Sequence, residues 1–217
     1  MSITRRADWL VPMGLIALAL IPVAAGLVRL TMLAVGGPLT KENARFFDAS
    51  IPAVVHIISV TVFSLLGAFQ FAPDFRRRRP DWHRAAGRVL VIAAFGAALS
   101  GKWMASSYAV IPADSDLQHG LRLIFGWGMM FATARGLVAI FGGHVASHQA
   151  WMRRAYAIGL GAGTQALILG PAMLLFGEPD DTSRALMMGA GWVPHLMVAE
   201  WLIRAPSHRR PRRRLAV

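Results

Sequence analysis

The sequence predicts an all-α polytopic membrane protein: six transmembrane helices, a four-helix core made by spans two to five, and both termini in the cytoplasm. Three observations carry this expectation. Hydrophobic side chains make up 55% of the 217 residues and charged ones only 16%, against about 25% charged in a soluble domain. Six apolar runs are long enough to cross a bilayer, which takes about 20 residues of helix. The net charge of +12 is gathered on alternate connecting segments, as the Lys/Arg bias of membrane proteins requires.

The runs cover residues 9–36, 51–72, 89–111, 120–142, 155–177 and 185–203. Arg5 and Arg6 precede the first and resemble a twin-arginine export signal. That run exceeds a signal-peptide core of about 7–15 residues, so it reads as a spanning helix. Pro80 suits the first turn of the third helix, and Asp81 is a favourable acid there. Asp114 or Ser115 can cap the fourth helix, and Ser147 the fifth. Those helices therefore start before their apolar runs, and the early starts carry His83, His119 and His148. The sixth span contains Pro194 followed by His195.

Charge then sets orientation. With the N-terminus inside, the inner segments hold 16 arginines: Arg5, Arg6, Arg76 to Arg79, Arg84, Arg88, Arg153, Arg154, Arg204, Arg209, Arg210 and Arg212 to Arg214. The outer loops hold Lys41, Arg45 and Arg184, with seven acids. This is the pattern of one integral domain over residues 1–217 in a cytoplasmic (inner) membrane, with a basic cytoplasmic tail at 204–217. The arginine runs read as topology anchors on anionic lipid. No aromatic residues are interleaved for base stacking, which argues against nucleic acid. The absence of cysteine excludes disulfide scaffolds, thiolate zinc, Fe–S clusters and covalent c-type haem.

Histidine is then the strong metal-ligand type left. His56 is followed by His83 after 27 residues, and His119 by His148 after 29. His83, Ala85 and Arg88 match His148, Ala150 and Arg153, a His-x-Ala-x-x-Arg at two helix starts. This reads as a degenerate two-helix repeat of the parallel kind. His56 and His119 fall near the outer face, His83 and His148 near the inner. Ionisable residues at membrane depth are costly and usually functional, and two imidazoles from facing helices hold b-type haem.

This order resembles the two-haem transmembrane cytochrome b family. The resemblance implies an outer haem on His56 and His119 and an inner haem on His83 and His148. More narrowly, Asp81-Trp82-His83-Arg84-x-x-Gly87-Arg88 and His148-x-x-Trp151-Met152-x-Arg154-x-Tyr156-Ala157 resemble an uncharacterised bacterial membrane family, domain of unknown function 2306. That second resemblance implies a membrane location and no activity. In one respect the chain departs from the cytochrome pattern: His83 and His148 precede their apolar cores by six or seven residues, about 9–10 Å of helix. There they could equally cap helices or meet lipid phosphates.

Further residues fit the same reading. Lys102, Arg122 and Arg29 on the outer half, and Arg84, Arg88, Arg153 and Arg154 on the inner rim, could neutralise haem carboxylates. The outer ones could instead snorkel to headgroups. His195 is an alternate partner for His56, and His144 an alternate for His148. Arg135 and Glu200 are expected to pair. The small residues of the third and fifth spans serve close packing or leave room for a porphyrin. Trp9, Trp82, Trp103, Trp151 and Trp201 fit interfacial belts.

The leading expectation is a b-type cytochrome moving electrons between two haems, with a quinol or a redox protein as partner. One competing class is a small proton-linked transporter or channel using His56, His195, Lys102 and Arg135. Another is a membrane subunit or sensor without chemistry. A His-Glu-x-x-His metalloprotease motif is absent from the sequence.

Overall fold

The structure, a computed structural model, describes residues 3–41, 43–108 and 115–205, with side chains from Trp9 onward. Every element among these residues is helical. Six helices are long and apolar enough to cross a membrane: Trp9–Val35, Ser50–Phe71, Pro80–Ser107, Asp116–Phe141, Val145–Phe176 and Asp181–Arg204. Asp114, Glu42, His208 and the tail arginines from Arg209 onward lie outside the described residues, as do the side chains of Arg5 and Arg6.

The first span is α1 (Ile3–Val35), which keeps Pro12 and Pro22 inside it. A short α2 (Ala44–Asp48) then leads into α3 (Ser50–Ala68), which a single 3-10 turn extends to Phe71. The loop before α2 is tied by Asn43, whose side chain donates to the Pro38 carbonyl at 2.9 Å and accepts from the Thr40 N–H at 2.8 Å. Next comes α4 (Pro73–Arg78), then α5 (Pro80–Ser107), where proline takes the first-turn position as expected.

Ser115 caps α6 (Asp116–Phe141) by accepting from the Gln118 N–H at 3.3 Å. Ser147 does not cap the fifth span. Gly143, at φ +74°, closes α6 in the left-handed region, so the chain re-enters helix at Val145 with His144 at the cap position. Ser147 therefore falls inside the first turn. The fifth span is also broken in two, α7 (Val145–Gly159) and α8 (Gly161–Phe176), which meet at Leu160. The last span is α9 (Asp181–Arg204), capped by Asp180 at 3.0 Å from the N–H groups of Thr182 and Ser183.

The end where α1 begins and α9 finishes is called terminal here, and the opposite end, with α2, distal. Antiparallel neighbours are fixed by side chains that reach across helix ends. Tyr108, just past α5, donates to the Ala49 carbonyl at the start of α3, at 2.6 Å. At the terminal end, Trp9, Phe69, Phe75 and Trp82 form a ring cluster with centroids 4.8–6.1 Å apart, which pins α4 against α1 and α5.

The main buried cluster draws Phe63 from α3, Leu90 and Ala94 from α5, Met129 from α6, Tyr156 from α7, and Leu160 at the break. Small residues let the helices approach, as they do in membranes generally: Ala93, Ala94, Ala97, Ala98 and Ser100 of α5 are buried. Outward-facing Ile92, Phe131, Phe141, Leu174 and Phe176 are largely exposed. Such a surface suits hydrocarbon and would be an unusually large apolar patch in water.

One expected pair is not formed. Glu200 of α9 pairs with Arg154 of α7, Nε to Oε1 at 2.5 Å and Nη2 to Oε2 at 3.1 Å, and approaches Arg204 at 3.6 Å. Arg135 instead lies over the Trp151 ring, 5.7 Å from its centroid. Arg154 belongs to α7, which packs against both α6 and α9.

Candidate functional site

His56 sits two turns into α3 and faces α5. Its Nδ1 lies 2.9 Å from the Ala97 carbonyl oxygen and 3.2 Å from Ser100 Oγ. The serine hydroxyl is already donated backward, to the Gly96 carbonyl at 2.5 Å. A carbonyl can only accept, so Nδ1 must carry the proton. The neutral ring then presents a bare lone pair at Nε2, which has no hydrogen bond among the described residues. Metal-binding histidines are commonly fixed through such a bond from the other nitrogen.

The His56 ring lines a cavity of about 760 Å³ at the distal side of the bundle. That lies within the roughly 300–1,000 Å³ range of small-molecule sites. Val60, Phe63, Phe125, Met129, Ile158 and Trp192 supply apolar walls, with Phe125 and Trp192 stacked at 4.3 Å. The break in the fifth span borders it: Gly159 and Ala162, on either side of Leu160, are both lining residues. Irregular backbone at membrane depth is tolerated where it lines a cavity or is buried in protein.

His119, Lys102 and Arg122 line the same cavity. The sequence expectation placed all three with His56, and the structure brings the four together. His119 is in the first turn of α6, and its ring has no hydrogen bond among the described residues. The Lys102 ammonium lies over the Trp127 ring, a contact that stabilises a cation. Arg45 and Tyr108 also line the cavity and were not singled out from sequence. Both gather on one ring: Arg45 lies over Phe46 at 5.2 Å, and Tyr108 meets Phe46 edge-on at 5.4 Å. Burial raises the Tyr108 phenol above its ordinary value, so it remains a neutral donor at neutral pH.

The other candidates lie elsewhere. His195 does not line the cavity; its Nε2 hydrogen-bonds the Thr164 hydroxyl at 2.5 Å. His144 is exposed in the α6–α7 turn. Arg29 lies over Phe46 at 4.6 Å. His83 and His148 occupy equivalent places, each closing a first turn through its backbone N–H, to Arg79 at 3.0 Å and to His144 at 2.9 Å. His148 Nδ1 lies 2.9 Å from the Gly136 carbonyl. His83 Nδ1 is buried and has no hydrogen-bond partner among the described residues. Arg76 and Arg153 are half-buried, while Arg84 and Arg88 are exposed. Neither His83 nor His148 lines the distal cavity.

No curated protein and no solved structure matches the chain. Residues 53–203 match a family described as a predicted membrane protein of unknown function, and that stretch holds both histidine pairs and most of the cavity wall. By that match the chain belongs to the domain of unknown function 2306 family of membrane proteins.

Proposed function

We propose that the chain is a membrane-embedded b-type haem protein whose haem site is the distal cavity, where His56 and His119 would hold the iron. One observation carries the reading: His56 is locked through Nδ1 onto Ala97, its Nε2 is left without a hydrogen bond among the described residues, and it lines an apolar-walled space together with a second histidine. Lys102, Arg122 and Arg45 on the lining fit a flat apolar group that carries carboxylates. When bound, haem would supply a one-electron couple. The chain's own part is to hold the ligand ring in one tautomer, to neutralise acid groups, and to keep water away with Phe63, Phe125 and Trp192.

The arginine distribution argues for both termini inside, so the distal cavity belongs to the outer half of the membrane. A quinol or an outer redox protein is then the partner class. Transfer across the whole bilayer would need a second haem on His83 and His148. That pair does not line the distal cavity, so the reading rests on the distal pair alone.

The full chain, expressed with haem supply and purified in detergent, should show a Soret band that shifts on reduction. His56→Ala and His119→Ala should each abolish or strongly reduce it, while His195→Ala should leave it. A folded protein without a Soret band, or an unchanged band in both variants, overturns the proposal.

A further inference from the structure

The distal cavity has a neighbour on the side of α1. A void of about 20 Å³ lies under that helix, lined by Ala19, Pro22 and Val23 of α1, Ser64 of α3 and Gly163 of α8. Val60, Gly159 and Ala162 line this void and the large cavity alike. Two of these three have no side chain beyond a Cβ, so the wall between the two spaces is thin. Ser64 is buried, and its hydroxyl has no hydrogen bond among the described residues.

It is α1 that separates this void from lipid. Among the described residues α3 and α8 share no extensive contact, while α1 packs on both and more extensively on α3. Its approach to α8 is a backbone one: a Cβ at Gly163 would lie 2.5 Å from the Leu18 carbonyl oxygen. That carbonyl lacks its usual ladder bond, because Pro22, four residues later, has no N–H. An oxygen resting on a glycine Cα is a weak contact. Of the described side chains of α1, only those of Pro12 and Ala19 are buried. Elements with few buried contacts are the ones that open locally.

We infer that α1 is a lateral gate to the distal cavity. Parting Leu18 from Gly163 opens a passage from the bilayer, through the void under α1 and past Val60, Gly159 and Ala162. Apart from the Ser64 hydroxyl, the side chains along it are apolar or absent, so it admits an apolar ligand dissolved in the lipid. Charged solutes have the distal mouth, where Arg45, Asp116 and Arg122 stand. The gate rests on the reading of the distal cavity as a ligand site, and not on haem being the ligand.

The chain has no cysteine, so one introduced thiol reports its own site alone. Ala98 of α5 lines the cavity and is buried. Ala98→Cys is made in the full chain, placed in lipid nanodiscs, and reacted separately with lipid-soluble N-cyclohexylmaleimide and with a sulfonated, anionic methanethiosulfonate. Modification is timed by mass spectrometry, and both reagents should reach the thiol. Adding Gly163→Ala should speed the maleimide at least about fivefold, the population change that about 1 kcal/mol produces, and leave the anionic reagent within about twofold. Adding Ala162→Leu, at an exposed residue that faces both spaces, should slow the maleimide and not the anionic reagent. Gly14→Ala, on α1 with nothing within 4 Å of the added methyl, should change neither rate.

A maleimide rate that Gly163→Ala and Ala162→Leu both leave unmoved overturns the gate. So does an equal rise for both reagents in Gly163→Ala, which would report general loosening, and so does a thiol that neither reagent reaches. These rates are read without haem. A missing Soret band would leave the gate standing, and an unaltered maleimide rate would leave the haem reading standing.

Discussion

His56 of α3 donates its Nδ1 proton to the carbonyl oxygen of Ala97 on α5 across 2.9 Å, a bond that joins two helices and selects one tautomer of the ring. The selected form, with the proton on Nδ1 and Nε2 bare, is directly observable. Nitrogen-15 spectra of histidine-labelled protein without added ligand should show one ring in this form, and His56→Leu should remove that signal. A proton found on Nε2 instead would contradict the geometry. The same variant should cost only about 0.5–1.5 kcal/mol in thermal unfolding. The Ala97 carbonyl keeps its place in the α5 ladder and Ser100 keeps Gly96, so no buried group is orphaned. Loss of a bound chromophore in His56→Leu could then be assigned to ligation.

The Arg154–Glu200 pair links α7 to α9 with each side chain less than a third exposed. Removing one member leaves a charge at the membrane edge with a weaker partner. Glu200→Gln should therefore destabilise by about 1–3 kcal/mol, between the values for surface and buried pairs. Arg154→Leu combined with Glu200→Leu should recover most of the loss of either single change, since an apolar pair has no desolvation penalty. A thermal double-mutant cycle with additive losses would refute coupling between the two.

The parts of this fold legible in the sequence are those set by one local rule. The spans follow from hydrocarbon thickness, and the Ser115 cap from a serine three residues before a free N–H. Ser147 failed as a cap because Gly143, four residues earlier, could adopt a left-handed turn and start the helix sooner. The break at Leu160 was hidden because Gly159-Leu160-Gly161 has no proline and reads as part of an apolar run. Close helix packing accounts for the same glycines without a break. His56, Lys102 and Arg122 stand out as costly polar residues in apolar runs, and His119 through its spacing to His148. Arg45 and Tyr108 do not, since Arg45 lies in a polar connection where such residues are ordinary and Tyr108 lies near the end of an apolar run where an aromatic reads as an interfacial anchor. The Arg154–Glu200 pair depends on which helix lies next to α9, and no local pattern reports that.

Gly163 of α8 lies against the backbone of α1. A methyl group added there would sit 2.5 Å from the Leu18 carbonyl oxygen, and backbone cannot step aside as a flexible side chain can. Gly163→Ala should force α1 and α8 apart and destabilise by about 1–3 kcal/mol. Gly14→Ala is the control, because nothing lies within 4 Å of the position a Cβ would take. There the helix-propensity gain should leave stability unchanged or raise it by up to about 1 kcal/mol. Equal effects of the two substitutions in thermal unfolding would show that the α1–α8 approach is not what requires glycine at 163.

Tyr108 supplies a pH dependence whose sign follows from its surroundings. Burial raises its phenol, with the nearby Arg45 charge opposing in part, so the folded protein holds the proton more tightly than the unfolded chain. The contribution is thus fully present below the ordinary phenol value of about 10 and is lost as pH rises through the higher folded value. The bond at risk is the one from Tyr108 to the Ala49 carbonyl, which holds the distal end of α5 against the start of α3. The chain has two tyrosines, and Tyr156 is common to wild type and Tyr108→Phe. The difference in tyrosinate absorbance between these two proteins should therefore report Tyr108 alone, with a midpoint above the ordinary value. A midpoint at or below that value would show that Tyr108 is solvated, and would remove it from the cavity lining.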